Sequence, residues 1–238
     1  MTRILQLTGS ALLLFGLLMA GGWSWGFGGG NPEIPEMHKD FSRTVDIQTA
    51  VVQGKMDRAQ RAASWILEHR DQRPFPPEAE AYRKEMLGYA SRIAEAEDMT
   101  EVASQTGRMA GACGSCHQSV GGGPRFVVGT PSPDGSTQAA QMIRHLWAAD
   151  RMWEGLVGPS EEAWMAGARA MAETQPAMVG ALPASTAPGT SQLLLREVNL
   201  LGTEAMNAKG TEARADVYGR LLETCNRCHA PTGILAEK

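Results

Sequence analysis

The chain has 238 residues, of which 43% are hydrophobic and 20% are charged, and its net charge is -4 at pH 7. This composition is too apolar for intrinsic disorder, and a weakly acidic chain with no long basic run argues against a nucleic-acid partner. Aromatic residues make up only 6% of the chain, which favours a helical core rich in alanine and leucine over a β-sandwich.

The first 25 residues predict one hydrophobic helix that is either a signal peptide or a transmembrane anchor. Residues 4–22 are almost entirely apolar, with Arg3 before them and no Lys or Arg after them until Lys39. A run of this length can cross a membrane, and the charge asymmetry sends the rest of the chain to its outer face. Residues 20–22 form a poor cleavage site, so both an anchored and a secreted protein are open. Residues 26–36, rich in glycine, predict a flexible tether.

The remainder of the chain contains two copies of one unit. Both copies have a Met-x-x-x-apolar pattern near their start and a Gly-Arg pair six residues before a cysteine: Met37 and Phe41, Met142 and Leu146, Gly107-Arg108 and Gly219-Arg220. Residues 121–137, rich in glycine and proline, predict a linker between the copies. We therefore expect two domains, residues 37–120 and 138–238.

Each copy is predicted to contain four helices. Apolar residues at helical spacing predict one apolar face on each first helix: Met37, Phe41, Val45 and Val52, and Met142, Leu146, Ala149, Trp153 and Leu156. The later helices are expected near residues 55–69, 77–96 and from 100, and near residues 160–173, 191–208 and from 211. Short connections favour antiparallel neighbours and hence an up-down-up-down bundle. Residues 174–192, with no charge and three prolines, predict a long loop.

The cysteines carry the strongest chemical signal. All four fall into two pairs, each followed directly by histidine: Cys113-Gly-Ser-Cys116-His117 and Cys225-Asn-Arg-Cys228-His229. Residues i, i+3 and i+4 of a helix face the same way. Two thiols at this spacing can bond the two vinyl groups of a haem while the adjacent imidazole points at the iron, which is the attachment signature of c-type haem.

The spacing therefore predicts two covalently bound haem c groups, with His117 and His229 as iron ligands. A shared zinc site would require cysteine pairs from separate repeats to converge, and a thioredoxin-like redox pair would need a βαβ context that is absent, so both alternatives are disfavoured. Attachment of c-type haem takes place on the outer side of the bacterial cytoplasmic membrane, which agrees with the N-terminal segment.

A c-type motif at the C-terminal end of a helical unit resembles the class II c-type cytochromes, namely cytochrome c′ and its six-coordinate c556-like relatives. The resemblance covers residues 37–119 and 138–231. It implies an all-α protein of two tandem four-helix bundles of the cytochrome c′/c556 type, preceded by one N-terminal hydrophobic helix.

The resemblance also implies a second axial ligand for each iron. In c556-like relatives a Met near the start of helix one supplies it, and Met37 and Met142 match that position, although both could instead be core residues. A thioether ligand raises the reduction potential. His145, one turn after Met142, is the alternative distal ligand; His38 is a weaker candidate, and His69 is expected at a solvated helix terminus.

Cytochrome c′ itself leaves the sixth position open and carries an Arg four residues after the haem His. This chain has Gly121 and Gly233 there, which argues against a gas-binding role. Arg108 and Arg220 are candidate partners for the haem propionates, with a solvated helix face as the alternative.

The sequence thus predicts an electron carrier rather than an enzyme, tethered to or secreted across the bacterial cytoplasmic membrane into the periplasm. It would pass electrons between a membrane redox complex and another periplasmic carrier. The alternative is a haem protein with one open axial site that binds NO or CO or acts as a peroxidase, for which only His145 is placed to supply a distal histidine.

Overall fold

The computed structural model describes residues 33–69, 77–129, 137–173 and 190–229. These residues form eight α-helices, four from each repeat, and contain no strand. The helices are α1 (Glu33–Val52), α2 (Met56–Glu68), α3 (Glu80–Glu95), α4 (Met99–Ser119), α5 (Gln138–Val157), α6 (Glu161–Ala172), α7 (Thr190–Asn207) and α8 (Gly210–His229), with a 3₁₀ turn at Pro77–Ala79 before α3. The prediction of an all-α fold with four helices in each repeat is confirmed.

Several sequence-based expectations fall on other parts of the chain. The predicted N-terminal helix, the tether up to residue 32, the linker residues 130–136 and the loop residues 174–189 lie outside the described residues. Among the helices that are described, none combines the length and the hydropathy needed to cross a bilayer.

Side-chain caps set where three of the helices begin. The side chains of Asp98, Thr137 and Ser160 each accept a hydrogen bond from the backbone N–H three residues later, at the starts of α4, α5 and α6. Such a cap satisfies one of the four N–H groups that a helix leaves without an internal partner.

Within each repeat, helices that follow one another in the chain pack against one another. In the second repeat the fully buried Trp164 of α6 also donates its indole N–H to the carbonyl of Ala205 at 2.8 Å, which ties α6 to α7. The buried residues of both repeats nevertheless form one continuous hydrophobic core. The division into two domains stays a prediction.

The two repeats meet where α4 crosses α8. A methyl group added to Gly107 would lie 2.3 Å from the carbonyl oxygen of Ala215 and 2.9 Å from the nitrogen of Gly219. The residue pairs in contact run in opposite directions along the two helices, because Ser104 meets Gly219 while Gly111 meets Thr211. The crossing is therefore antiparallel and brings the two backbones into direct contact.

A buried tyrosine joins three helices beside this crossing. The hydroxyl of Tyr218 on α8 accepts a hydrogen bond from Nε2 of Gln48 on α1 at 2.7 Å and donates to the carbonyl of Ala149 on α5 at 3.2 Å. Its side chain is fully buried and contacts the ring of Trp153 with centroids 6.0 Å apart. Tyr218 thus connects α1 of the first repeat to α5 and α8 of the second.

We expect Tyr218→Phe to lower the free energy of unfolding by about 1–3 kcal/mol, because it leaves the buried Gln48 amide without its acceptor. Tyr89→Phe is the matched control, since its hydroxyl bonds Glu85 at the protein surface, and its effect should stay within about 0.5 kcal/mol. Urea denaturation followed by circular dichroism measures both. Equal midpoints for the two variants would contradict the role of Tyr218.

One part of the predicted apolar face of α5 is wrong. Ala149, Trp153 and Leu156 are buried as expected, but Leu146 is 62% exposed and its neighbour Ile143 is 52% exposed. Gln141, Ala148 and Met152 are buried as well, so the buried face of α5 is wider than the predicted stripe, and the stripe itself is left uncovered at Leu146. Helical periodicity identifies an apolar stripe but not the edge at which neighbouring helices stop covering it.

Candidate functional site

Both cysteine motifs lie in the last turns of a helix, α4 for the first and α8 for the second. All four thiols are free and half-buried. Because residues three and four apart share a face of a helix, each motif presents two thiols and one imidazole on the same side. The predicted donor set is therefore assembled locally at both positions.

The environment of the cysteines does not suit dithiol redox chemistry. Burial raises the pKa of the Cys113 thiol to about 12, with a further contribution from the nearby carboxylate of Asp40. Burial likewise raises the pKa of Cys225 to about 12, and Cys228 adds to the effect. A reactive thiolate requires a lowered pKa and an electropositive setting. The structure thus weakens the thioredoxin-like alternative.

The imidazole of His117 is oriented by the other repeat. Its Nδ1–H donates to the backbone carbonyl of Val157, at the end of α5, over 2.7 Å. Because a carbonyl can only accept, this bond places the ring proton on Nδ1 and leaves Nε2 as the nitrogen with a lone pair. Metal-binding histidines commonly donate their second ring N–H in this way.

The chain turns sharply just after His117. The N–H of Gly122 bonds the carbonyl of His117 at 3.0 Å and the N–H of Gly121 bonds the carbonyl of Gln118 at 3.3 Å, which is a Schellman ending. Gly121 has φ +63°, a backbone conformation that suits glycine. The turn brings Gly123 so close that a methyl group on it would lie 2.6 Å from the His117 ring.

Gly114, inside the first motif, is a second point of close approach. A methyl group there would lie 2.0 Å from the carbonyl oxygen of Leu156 on α5. The end of α5 therefore rests on the motif itself, which is how the neighbouring Val157 carbonyl comes to face His117. The side chain of Phe126 packs near Gly158 and lies 6.2 Å from Phe41, ring centroid to ring centroid.

The second motif faces the first turns of α5. Burial lowers the pKa of His229, and the neutral imidazole that results is the form that ligates a metal. Burial lowers the pKa of His145 to about 4, and the charge of His229 contributes next, so the two imidazoles lie within electrostatic range of each other. The structure thus brings the alternative distal residue to the second motif.

The predicted methionine ligands occupy the first turns of α1 and α5. Met37 and Met142 are both half-buried. One turn after Met37, Asp40 is 3% exposed and lies near enough to Cys113 to affect its thiol. The start of α1 therefore faces the first motif, as the bundle topology predicts, and the role of Met37 and Met142 as ligands stays a prediction.

The other two histidines lie in different surroundings. His38 is exposed at the start of α1. His69, just after α2, stacks on Trp65 with ring centroids 4.0 Å apart, and its Nδ1 lies 2.8 Å from the Trp65 carbonyl. These contacts give His69 a structural role at the end of α2.

The two arginines face away from the cysteine motifs. Each lies five residues before the first cysteine of its motif, which is about 140° around a helix. Arg108 lines a groove between α3, α4 and the start of α8, together with Glu85 and Asp216. Arg220 forms ion pairs with Glu204 and Asp216. These surroundings add no support for a propionate role, which stays a prediction.

The two motifs lie far apart. Gly107 and Gly219 touch at the crossing, and each motif histidine lies ten residues further along its own helix. Because the helices are antiparallel, this places His117 and His229 about 30 Å apart along the helix axes at 1.5 Å per residue. A single zinc ion cannot bind both cysteine pairs across such a distance.

The residues at the first motif fit a covalently attached haem. The paired thiols lie on one face of the helix, and Nδ1 of His117 is hydrogen-bonded to the Val157 carbonyl. Half-buried apolar side chains, Met37 and Phe41 among them, lie at the start of α1, which faces this motif. Among the residues that are described, no three His, Cys, Asp or Glu side chains are grouped to hold a metal ion by themselves.

Comparison with known proteins gives no significant match, either to a protein family, to a curated protein or to a solved structure.

Sequence reasoning missed three contributors to the first motif. The Val157 carbonyl has no side-chain signal, because any residue would supply the same group. Gly114 and Gly123 are visible in the sequence, and the glycine next to the first cysteine could have indicated close packing. Gly123 instead belongs to the segment interpreted as a linker.

Proposed function

We propose that this chain is a c-type cytochrome with two covalently attached haems that carries electrons and has no substrate chemistry of its own. The observation that carries the proposal is the pair of Cys-x-x-Cys-His motifs on helix ends, with His117 Nδ1–H donating to Val157 and Nε2 left for iron. Haem held in this way supplies one-electron transfer, and the protein sets its ligation and burial.

The chain's own residues have distinct parts in this proposal. Cys113, Cys116, Cys225 and Cys228 attach the two haems, and His117 and His229 ligate the irons. Two four-helix bundles of the cytochrome c′/c556 type, α1–α4 and α5–α8, hold these residues. Support for this arrangement comes from the packing of consecutive helices within each repeat and from the start of α1 facing Cys113.

The partners in this proposal are a membrane redox complex and a second carrier in the periplasm. Support comes from the apolar residues 4–22, which would hold the protein at the outer face of the cytoplasmic membrane or direct its secretion. Because the two motifs lie at opposite ends of the α4–α8 pair, each would be reached from its own end of the molecule.

The proposal is tested by counting haems on the protein purified from a host that matures c-type cytochromes. We expect the full chain to keep two haems through denaturation, as an intact mass raised by two haem groups and as a band that stains for haem on a denaturing gel. Non-covalent haem would be lost under these conditions. A mass that matches the bare polypeptide would refute the proposal.

A further inference from the structure

The end of α5 carries backbone carbonyl groups that need partners from outside the helix. The last four carbonyls of an α-helix have no intrahelical partner. Here the carbonyls of Glu154 and Gly155 accept hydrogen bonds from backbone N–H groups just beyond the helix, at 2.8 and 3.1 Å. The carbonyl of Val157 instead accepts from Nδ1–H of His117, which belongs to the other repeat, at 2.7 Å. The first motif thus completes the hydrogen bonding at this helix end.

A glycine inside the first motif makes room for the end of α5. A methyl group on Gly114 would lie 2.0 Å from the carbonyl oxygen of Leu156, a backbone atom that cannot rotate away. The equivalent position of the second motif is Asn226. Because any side chain at this position would collide with a helix end so close to it, the sequence allows the approach at the first motif and not at the second.

The chain that follows the first motif contacts the same imidazole. A methyl group on Gly123 would lie 2.6 Å from Cγ of His117. Just beyond it, the carbonyl of Pro124 and the ring of Phe126 pack against Gly158, since a methyl group there would lie 3.0 and 2.9 Å from them. The His117 ring is therefore contacted both by this segment and by the end of α5, and these two contact each other.

Two effects of this arrangement act in the same direction on an iron bound at Nε2 of His117. Donation of Nδ1–H to a carbonyl raises the basicity of the imidazole as a ligand. The C-terminal end of a helix also carries partial negative charge. Both effects favour ferric over ferrous iron, because the ferric state has one more positive charge. Hydrogen bonds around the ligands are among the features that set the reduction potential of haem.

We infer that the end of α5 is a positioning element for the first haem: the Val157 carbonyl, acting through His117, lowers the reduction potential of that haem. The second repeat thus tunes the iron that the first repeat holds. This inference rests on the proposed haem function and deepens it. The effect is specific to the first haem, because Asn226 prevents the same approach at the second motif.

Gly114→Ala tests the inference in the full two-haem protein, because its methyl group requires the last turn of α5 to move away from the motif. We expect the midpoint potential of the first haem to rise and that of the second to stay at its wild-type value. If the lost hydrogen bond weakens the preference of His117 for ferric iron by about tenfold, the rise is about 59 mV for one electron. The wave of the first haem is the one that the Cys225→Ala/Cys228→Ala variant retains.

Gly111→Ala is the matched control. It adds a methyl group to the same helix, three residues earlier, and also presses on the second repeat. Its nearest neighbours are on α8 and not on α5, namely side-chain atoms of Thr211 and Ala215 at 3.1 and 3.2 Å. Both midpoint potentials should therefore keep their wild-type values. A rise of the first potential equal to that in Gly114→Ala would show a general loosening between the repeats and would overturn the inference.

Proton NMR of His117 provides a readout that does not depend on the potential. In the wild-type protein the Nδ1–H proton should exchange slowly with solvent and show nuclear Overhauser effects to protons of Val157 or Gly158. Gly114→Ala should accelerate this exchange while the backbone amides in the middle of α4 keep their protection. The wild-type spectrum decides the question by itself if Gly114→Ala fails to fold or to mature.

The outcomes separate this inference from the proposed function. An unchanged first potential in folded Gly114→Ala, equal shifts at both haems, or the absence of the Overhauser effects in the wild type would overturn the role of the α5 end while leaving a dihaem cytochrome. Absence of covalent haem from the wild-type protein would instead refute the proposed function itself.

Discussion

Replacing Gly107 by alanine should be among the most destabilising single-methyl additions to this protein. The new methyl group would lie 2.3 Å from the Ala215 carbonyl oxygen and 2.9 Å from the Gly219 nitrogen, both backbone atoms that cannot rotate away. The two helices would have to separate along the crossing that joins the repeats. Overpacking of this kind costs about 1–3 kcal/mol, and the contact with two backbone atoms places Gly107→Ala near the upper end.

Two other glycines allow the variants to be ranked by their expected stability. Gly219→Ala meets its nearest atom, the Cα of Ser104, at 3.0 Å and should be less damaging, whereas Gly88 on α3 has nothing within 4 Å of the added methyl group. Gly88→Ala should therefore stabilise the protein by about 0.5–1 kcal/mol, because alanine loses less backbone entropy in a helix. Urea denaturation of the three variants should rank them 107, 219 and 88 in increasing stability. Another order would argue against the close antiparallel crossing.

In the proposed dihaem protein, removing one cysteine pair should remove one haem and leave the other unchanged. In Cys113→Ala/Cys116→Ala we expect one covalent haem by intact mass, and the reciprocal Cys225→Ala/Cys228→Ala variant should keep the other. Because His117 and His229 lie about 30 Å apart along the helix axes, two unit charges at these positions interact by about 0.14 kcal/mol in water and about 0.6 kcal/mol at an effective dielectric constant of about 20. These energies correspond to about 6 mV and about 24 mV for one electron. Screening by salt reduces this further.

Potentiometric titration of the two double variants checks this independence. The remaining haem should keep its midpoint potential to within about 25 mV of its value in the two-haem protein, given the weak coupling over this distance. Circular dichroism controls for the fold, since each variant would also lose a proposed covalent attachment. A displacement of several tens of millivolts in a variant with unchanged helicity would place the two haems much closer together than the antiparallel crossing does.

The features that agree between the prediction and the structure are those set by residues close together in the sequence. The helix boundaries predicted from periodicity agree with the observed ones to within a few residues, as with α6, expected near 160–173 and observed at Glu161–Ala172. Asp98 and Ser160 stand immediately before the helices that they cap. Both signals are local, because a helix places its hydrogen bonds and its side-chain neighbours within four residues.

The residue facing each motif depends on contacts between distant segments. Periodicity placed Met142 and Leu146 on an apolar stripe, but neighbouring helices do not cover the whole stripe, and Leu146 stays exposed. The hydrogen bond that ties α5 to α8 comes from Tyr218, 69 residues beyond Ala149. The spacing of residues around Ala149 gives no indication of such a long-range contact.

The sequence by itself determines which chemical groups the two motifs offer: Cys113, Cys116 and His117, with the same spacing repeated from residue 225, on helices that put those side chains on one face. The tertiary structure alone decides how the repeats cooperate, through the Gly107–Gly219 crossing and the Val157 carbonyl that orients His117. The physical reason is that a thiol or an imidazole is encoded by residue type, whereas a backbone carbonyl is the same at every position. Only the packing of α5 against α4 selects which carbonyl meets the histidine.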